Sequence, residues 1–256
     1  MICFRKNQFM MAILTAVIVV TAAMPANAKL SHDDAKEVWG RIANATDLTS
    51  LPFSIKEEKA PNAWVANGNS VTVTTGLLDL LDEQKELYGV LSHEAGHAKL
   101  GHYEKTVTRH TGLSILGAVL SNVLGSGLAD VAVGVGSNLA AAGWSREQEV
   151  AADDYAVHLA YNNGEDPVGL YAAMQKISAY SGKLEPSGFN SHPPDDRRLL
   201  HIKNEILALD PYANFPDTEE VKKDVAKKEE KVTAEETEDR WEALKRDLEK
   251  SENKGN

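Results

Sequence analysis

The stretch from Leu91 to Leu100, LSHEAGHAKL, places His93 and His97 four residues apart. On a helix, residues four apart lie one above the other on the same face. The spacing therefore predicts a helix that begins near Asp82 and runs past His97. Two imidazoles on one face can hold a metal, but they form an incomplete site, so the rest of the chain has to supply further ligands.

Glu94 follows His93 directly and completes the pattern H-E-x-x-H. In this pattern two imidazoles hold zinc, and the glutamate acts on a zinc-bound water whose pKa is lowered to about 7. The carboxylate can take the proton of that water during attack on a peptide carbonyl and pass it to the leaving amine. An ordinary surface helix is the alternative at this point, because five-residue matches also arise by chance.

A third ligand is sought in the segment 144–160, WSREQEVAADDYAVHLA, where Glu149 and Asp153 fall one helical turn apart. Glu149 could bind the metal, and Asp153 could accept a hydrogen bond from a liganding imidazole. An amphipathic helix with acids on its solvent side explains the same residues, and Glu147 and Asp154 are equally available. The pattern alone therefore leaves the third ligand open.

Other histidines are predicted to lie away from the metal. His102 is five residues beyond His97, which on a continuous helix turns it off the ligand face, and His110 lies in the following segment. Both are expected at the surface. His158 is nine residues from Glu149 and is predicted to be too distant.

The first 28 residues resemble a secretory signal peptide, with two basic residues, an apolar run from Phe9 to Met24 and small residues before a cleavage point after Ala28. A retained membrane anchor is the alternative. The single cysteine, Cys3, would leave with the signal, so disulfides are not expected. An exported chain of this kind fits a bacterial periplasm. The net charge of -11 argues against nucleic acid as a partner.

Composition divides the remainder of the chain. Residues 112–143 are rich in Gly and Ala with Asp130 as their only charge, which predicts an apolar hairpin or lid; membrane-surface contact through it is an open alternative. Residues 29–209 are predicted to form one domain. Residues 210–256 form a tail, helical or disordered, because 24 of the 40 residues from 217 to 256 are charged.

Four blocks of the sequence carry a family resemblance. NAWVANGNSVTVTTGLLDLL, LSHEAGHAKLGH, SREQEVAADDYA and SHPPDDRR, in this order, resemble the HtpX-like zinc metallopeptidases, particularly their small soluble periplasmic members, the minigluzincins. The resemblance spans about residues 35 to 209. It implies an α+β, mostly helical zincin-like fold with a small β-sheet beside the active-site helix, and one Zn²⁺ per subunit.

The resemblance also implies roles for individual residues. It makes Glu94 the general base and Asp153 a hydrogen-bond partner of a ligand, and it assigns the metal to His93, His97 and Glu149. His192 matches a histidine that lies near the metal, where it assists catalysis or occupies the open position as an inhibitor. Of the two arginines that follow, Arg197 is favoured over Arg198 as the match to the family arginine.

The function implied by the resemblance is that of a periplasmic zinc endopeptidase acting on unfolded or misassembled envelope proteins. The strand Val71–Thr74 is expected to be an edge strand that pairs with the substrate backbone. The competing interpretation is a chaperone or assembly factor on the same fold, with a latent zinc site silenced by His192. Partners expected from the resemblance are protein or peptide substrates and outer-membrane assembly components.

Overall fold

The computed structural model describes residues 29–109, 144–180 and 195–252. The predictions for the signal peptide, for the segment 112–143 and for His192 and His110 lie outside these residues. Within them the chain forms helices around a small sheet, as expected for an α+β zincin-like domain. In chain order the elements are α1 (His32–Ala45), β1 (Phe53–Lys56), β2 (Ala63–Ala66), β3 (Ser70–Thr74), α2 (Thr75–Leu80), α3 (Gln84–Lys99), α4 (residues 102–109), α5 (Arg146–Asn162), α6 (Val168–Ala179), α7 (Asp196–Leu209) and α8 (Thr218–Glu252).

The sheet has the order β1-β3-β2. Asn67 and Gly68 adopt positive φ and let β2 fold back on β3 as an antiparallel hairpin, whereas β1 pairs with the other side of β3 in parallel. The expectation that Val71–Thr74 is an edge strand is therefore wrong. It lies in the central strand, and β2 is the edge strand nearest to α3.

Helix α3 lies at the centre of the domain. It contacts α1, α5, α6 and β2, and every residue from Glu86 to His97 is buried. The approach of α3 to α6 is set by Gly89, because a Cβ atom at this position would lie 2.4 Å from the backbone nitrogen of Leu170. The motif-bearing helix is thus held on several sides, as a site of fixed geometry requires.

The start of α3 is fastened by a network of buried and partly buried charges. Lys176 of α6 lies 2.6 Å from Asp82 and 2.7 Å from Glu86, and its side chain is buried. Lys228 of α8 donates to the carbonyl oxygen of Leu80 at 2.7 Å and to Asp82 at 2.6 Å. The first turns of α8 are therefore tied to the loop that precedes α3.

No helix in the described parts of the chain is long and apolar enough to cross a membrane. The longest of them, α8, is strongly charged, and Trp241 near its far end is half-exposed.

Candidate metal centre

Three side chains from two helices converge beside the sheet. His93 and His97 lie on α3 and Glu149 lies in the first turn of α5, and all three are buried. The Nε2 atoms of the histidines are 3.1 Å apart. The Glu149 carboxylate lies 3.6 Å from Nε2 of His93 and 3.5 Å from Nε2 of His97. The structure therefore brings together the three residues that the sequence proposed as ligands.

This triangle fits zinc. Nitrogen and oxygen ligands placed about 2.0–2.1 Å from a tetrahedral zinc are about 3.3–3.4 Å from one another, close to the separations seen here. Charge also favours a divalent cation. Among the described residues around the site, the buried carboxylates of Glu94, Glu149 and Asp153 face the buried guanidinium of Arg198. Three protein ligands leave a position for a water or a substrate atom, as in catalytic zinc sites.

Asp153 fixes the ring of His93. Its Oδ1 atom lies 2.9 Å from Nδ1 of His93, so the remaining nitrogen, Nε2, faces the site. Burial would raise the pKa of Asp153, but the hydrogen bonds with His93 and Arg198 outweigh it and hold that pKa below its usual value. Burial lowers the pKa of His93 despite the neighbouring carboxylates, which favours the neutral imidazole that a metal requires.

The arginine at the centre is Arg198, whereas Arg197 is exposed. Arg198 donates from Nε and Nη2 to the two oxygens of Asp153, and its Nη1 atom lies 2.8 Å from Glu149. The family resemblance favoured Arg197, but in the structure these buried contacts are made by Arg198. A signal was present in the sequence: Arg198, Ile202 and Ile206 are spaced by four, and all three form the buried stripe of α7.

Glu94 lies beside the ligands, fully buried, and joins the site to the sheet. Its Oε2 atom accepts a hydrogen bond of 2.9 Å from the backbone amide of Val65 in β2. Burial, and then the charge of Glu149, raise the pKa of Glu94 well above its usual value, although the Val65 amide and Arg198 act against this. The carboxyl group thus stands between the candidate ligands and the edge strand.

His102 lies inside the site region, so the expectation of a surface position is wrong. It is 3% exposed, and its Nδ1 atom is 2.9 Å from Nδ1 of His97. The reason is local: α3 ends at Lys99, Gly101 takes a left-handed φ of 62°, and the chain turns back. His158 instead pairs with Glu205 at 2.8 Å, away from the ligands.

The fold and this ligand set define a zinc metalloprotease domain. The family model described as Peptidase family M48 matches residues 29–206. The chain is 30% identical over 174 residues to Metalloprotease YcaL of Escherichia coli (strain K12), covering 65% of this chain and 66% of that protein. It is 29% identical over 174 residues to Metalloprotease LoiP of the same strain, covering 65% of this chain and 69% of that protein.

A third relative is Protease HtpX homolog of Desulfatibacillum aliphaticivorans, 28% identical over 222 residues, with 68% of this chain and 70% of that protein covered. The chain thus spans about two thirds of the length of these relatives. It belongs to peptidase family M48, whose members of the HtpX-like type depend on zinc, and His93, His97 and Glu149 form its candidate metal site.

Proposed function

We propose that this chain is a zinc-dependent endopeptidase that hydrolyses peptide bonds in unfolded or misassembled cell-envelope proteins, with Glu94 as its general base. The observation that carries the proposal is the position of Glu94. Its carboxyl group is buried beside His93, His97 and Glu149, and it is held at 2.9 Å by the Val65 amide of the edge strand. Base, ligands and a strand edge therefore meet at one place.

His93, His97 and Glu149 would hold the zinc, which would supply a Lewis acid for the substrate carbonyl and lower the pKa of a water molecule. The protein groups do the remaining work. Glu94 takes a proton from the attacking water and delivers it to the leaving amine. Asp153 holds His93 in the required tautomer, and Arg198 holds both Asp153 and Glu149 in place.

The edge strand supports an endopeptidase with broad sequence tolerance. Among the described residues β2 forms the edge of the sheet that faces α3, and main-chain pairing with such an edge tolerates many side chains. An extended, unfolded segment can add to this edge, whereas a folded protein has few segments free to do so. This supports unfolded or misassembled polypeptides as the substrate class.

The test uses the Glu94→Gln variant, which keeps the shape of the side chain and removes the base. We expect it to bind zinc as the wild type does and to lose about 10²–10⁴-fold in the rate of cleavage of an unfolded substrate such as casein. Glu147→Gln changes an exposed acid on α5 and should cut normally. Addition of a chelator should abolish cleavage by the wild type, and zinc should restore it.

A second function is an outcome of the same experiment. If the wild type binds zinc but never cuts, and His192→Ala does not release activity, the chain acts as a chaperone or assembly factor on a zincin fold.

We also propose that residues 1–28 direct the protein to the periplasm and are removed after Ala28. N-terminal sequencing of protein recovered from the periplasmic fraction tests this; a chain that begins at Met1 in the membrane fraction would contradict it.

A further inference from the structure

The imidazole of His102 lies edge-on to that of His97, with ring centroids 4.9 Å apart and an angle of 75° between the rings. We propose that His102 is a positioning residue for the zinc ligand His97, whose Nδ1–H group donates a hydrogen bond to the unprotonated Nδ1 atom of His102. This inference rests on the zinc-dependent function proposed above, and it gives a role to a residue outside the H-E-x-x-H pattern.

The orientation of His97 leads to this assignment. Its Nε2 atom faces the site, since it lies 3.1 Å from Nε2 of His93 and 3.5 Å from Glu149. A nitrogen that binds zinc carries no proton, so the proton of a neutral His97 imidazole is on Nδ1. The Nδ1 atom of His102, at 2.9 Å, is within hydrogen-bond distance of it. The pair fixes one tautomer of His97, as Asp153 does for His93.

An imidazole is a suitable acceptor at this position. Glu94, Glu149 and Asp153 already place three buried carboxylates around the site. A further carboxylate behind His97 would add a fourth buried charge, whose desolvation and repulsion would be costly. A neutral imidazole accepts the hydrogen bond without adding charge.

Two contacts hold His102 and its partner in place. Gln148, in the first turn of α5, donates from Nε2 to the carbonyl oxygen of His102 at 3.0 Å. Gln148 directly precedes Glu149, so one turn of helix positions both His102 and the third candidate ligand. On another side, the Trp144 ring stacks on His97 with centroids 4.6 Å apart and an interplanar angle of 25°. The His97 ring is therefore confined both at its edge and on its face.

The first test compares His102→Leu, which removes the acceptor, with His102→Asn, whose side-chain oxygen can replace it. Zinc affinity of the full chain is measured by competition with a chromogenic chelator. We expect Leu to weaken binding by about 10–100-fold and Asn to stay within about threefold of the wild type. His201→Leu, a half-exposed histidine paired with Asp154, is the matched control and should bind zinc normally.

Cobalt substitution gives a second readout. The visible absorption bands of the Co²⁺ form should change in His102→Leu and be restored in His102→Asn, because they report the geometry around the metal. Wild-type affinity and an unchanged cobalt spectrum in His102→Leu would overturn the proposal. So would a His102→Asn variant that binds zinc as weakly as His102→Leu, because a role in packing alone would not be rescued by an acceptor.

The second test needs no variant and decides the matter if a variant fails to fold. Long-range ¹H–¹⁵N correlation spectra of the zinc-loaded wild type report which ring nitrogen carries a proton. We expect the proton on Nδ1 of His97 and none on Nδ1 of His102; the reverse arrangement would refute the proposal. Both tests are made without substrate, so a wild type that binds zinc but does not cut would count against the proposed endopeptidase function alone.

Discussion

Arg198 holds Asp153 through two hydrogen bonds, from Nε to Oδ2 at 2.9 Å and from Nη2 to Oδ1 at 2.7 Å. Asp153 in turn lies 2.9 Å from Nδ1 of His93. A continuous series of contacts therefore runs from α7, through α5, to a candidate ligand on α3. Since Nη1 of Arg198 also lies 2.8 Å from Glu149, one guanidinium contacts both a candidate ligand and the carboxylate that holds another.

Replacement of Arg198 by methionine should be strongly destabilising. The change leaves Asp153 buried without its cationic partner, and the removal of one member of a buried ion pair costs about 3–5 kcal/mol in the free energy of unfolding. Urea denaturation measures the loss. Arg197→Met changes an exposed neighbour and should stay within about 0.5 kcal/mol of the wild type. Equal losses in the two variants would contradict the assignment of the buried contact to Arg198.

Gly89→Ala should destabilise the domain because α3 and α6 lie too close together for a methyl group. The added Cβ would lie 2.4 Å from the backbone nitrogen of Leu170, so the helices would have to separate. This should lower the free energy of unfolding by about 1–3 kcal/mol or more. Gly40→Ala is the control, because nothing lies within 4 Å of a Cβ there. Because Gly40 lies in α1, the Gly40→Ala variant should gain up to about 1 kcal/mol in the free energy of unfolding from helix propensity. Thermal unfolding of both variants measures the difference; a neutral Gly89→Ala would show that the crossing can relax.

Lys176→Met should leave the buried Glu86 without its cationic partner and Asp82 with Lys228 alone. Lys176 is buried between Asp82 and Glu86, and we expect a loss of about 3–5 kcal/mol in the free energy of unfolding. The matched variant is Lys222→Met, which removes an exposed pair with Glu219 and should cost no more than about 1 kcal/mol. Denaturant titration followed by circular dichroism compares the two. If Lys176→Met is as mild as Lys222→Met, the network does not fasten the start of α3.

Zinc affinity should fall as the pH decreases below 7. Burial raises the pKa of Glu149 to about 7, against the pull of His93 and Arg198, and this carboxyl must lose its proton before it can bind zinc. Protons therefore compete with the metal at low pH, and the Kd should rise by about tenfold for each pH unit below 7. Competition titrations between about pH 5.5 and 8 measure this dependence.

The control for the pH dependence is Glu149→Gln, which has no proton to release at this position. It should bind zinc more weakly than the wild type at pH 8, with a dependence on pH that is shallower by one proton. If the variant and the wild type show the same slope, Glu149 does not supply the proton that competes with zinc.

Much of the site could be predicted because it follows helix periodicity. The four-residue spacing of His93 and His97, and that of Glu149 and Asp153, each place two groups on one face before any tertiary contact is known. The same periodicity is visible in α1, where the buried residues recur every three or four positions behind the cap Ser31. Periodicity does not report which helices meet, so the convergence of Glu149 with the histidines depended on the family resemblance.

The errors have local physical causes. His102 was placed at the surface by the assumption of a continuous helix, although a glycine at position 101, just after the end of α3, is a typical signal for its termination. The choice between Arg197 and Arg198 required the register of α7, which Ile202 and Ile206 indicate. The hairpin pattern does not tell which of its two strands β1 joins, so the order of the strands could not be predicted from it. The pairing of β1 with β3 depends on tertiary contacts.

The contact between Lys228 and Asp82 has a consequence for the order of events during synthesis. The two residues are 146 positions apart, so a ribosome adding about 5–20 residues per second makes the lysine roughly 7–30 s after the aspartate. For most of that interval the nascent chain already contains α3 but lacks one of the cations that hold its leading loop. Only a chain translated past Lys228 can complete this fastening, and a product terminated earlier would carry the candidate ligands His93 and His97 on a less firmly held helix.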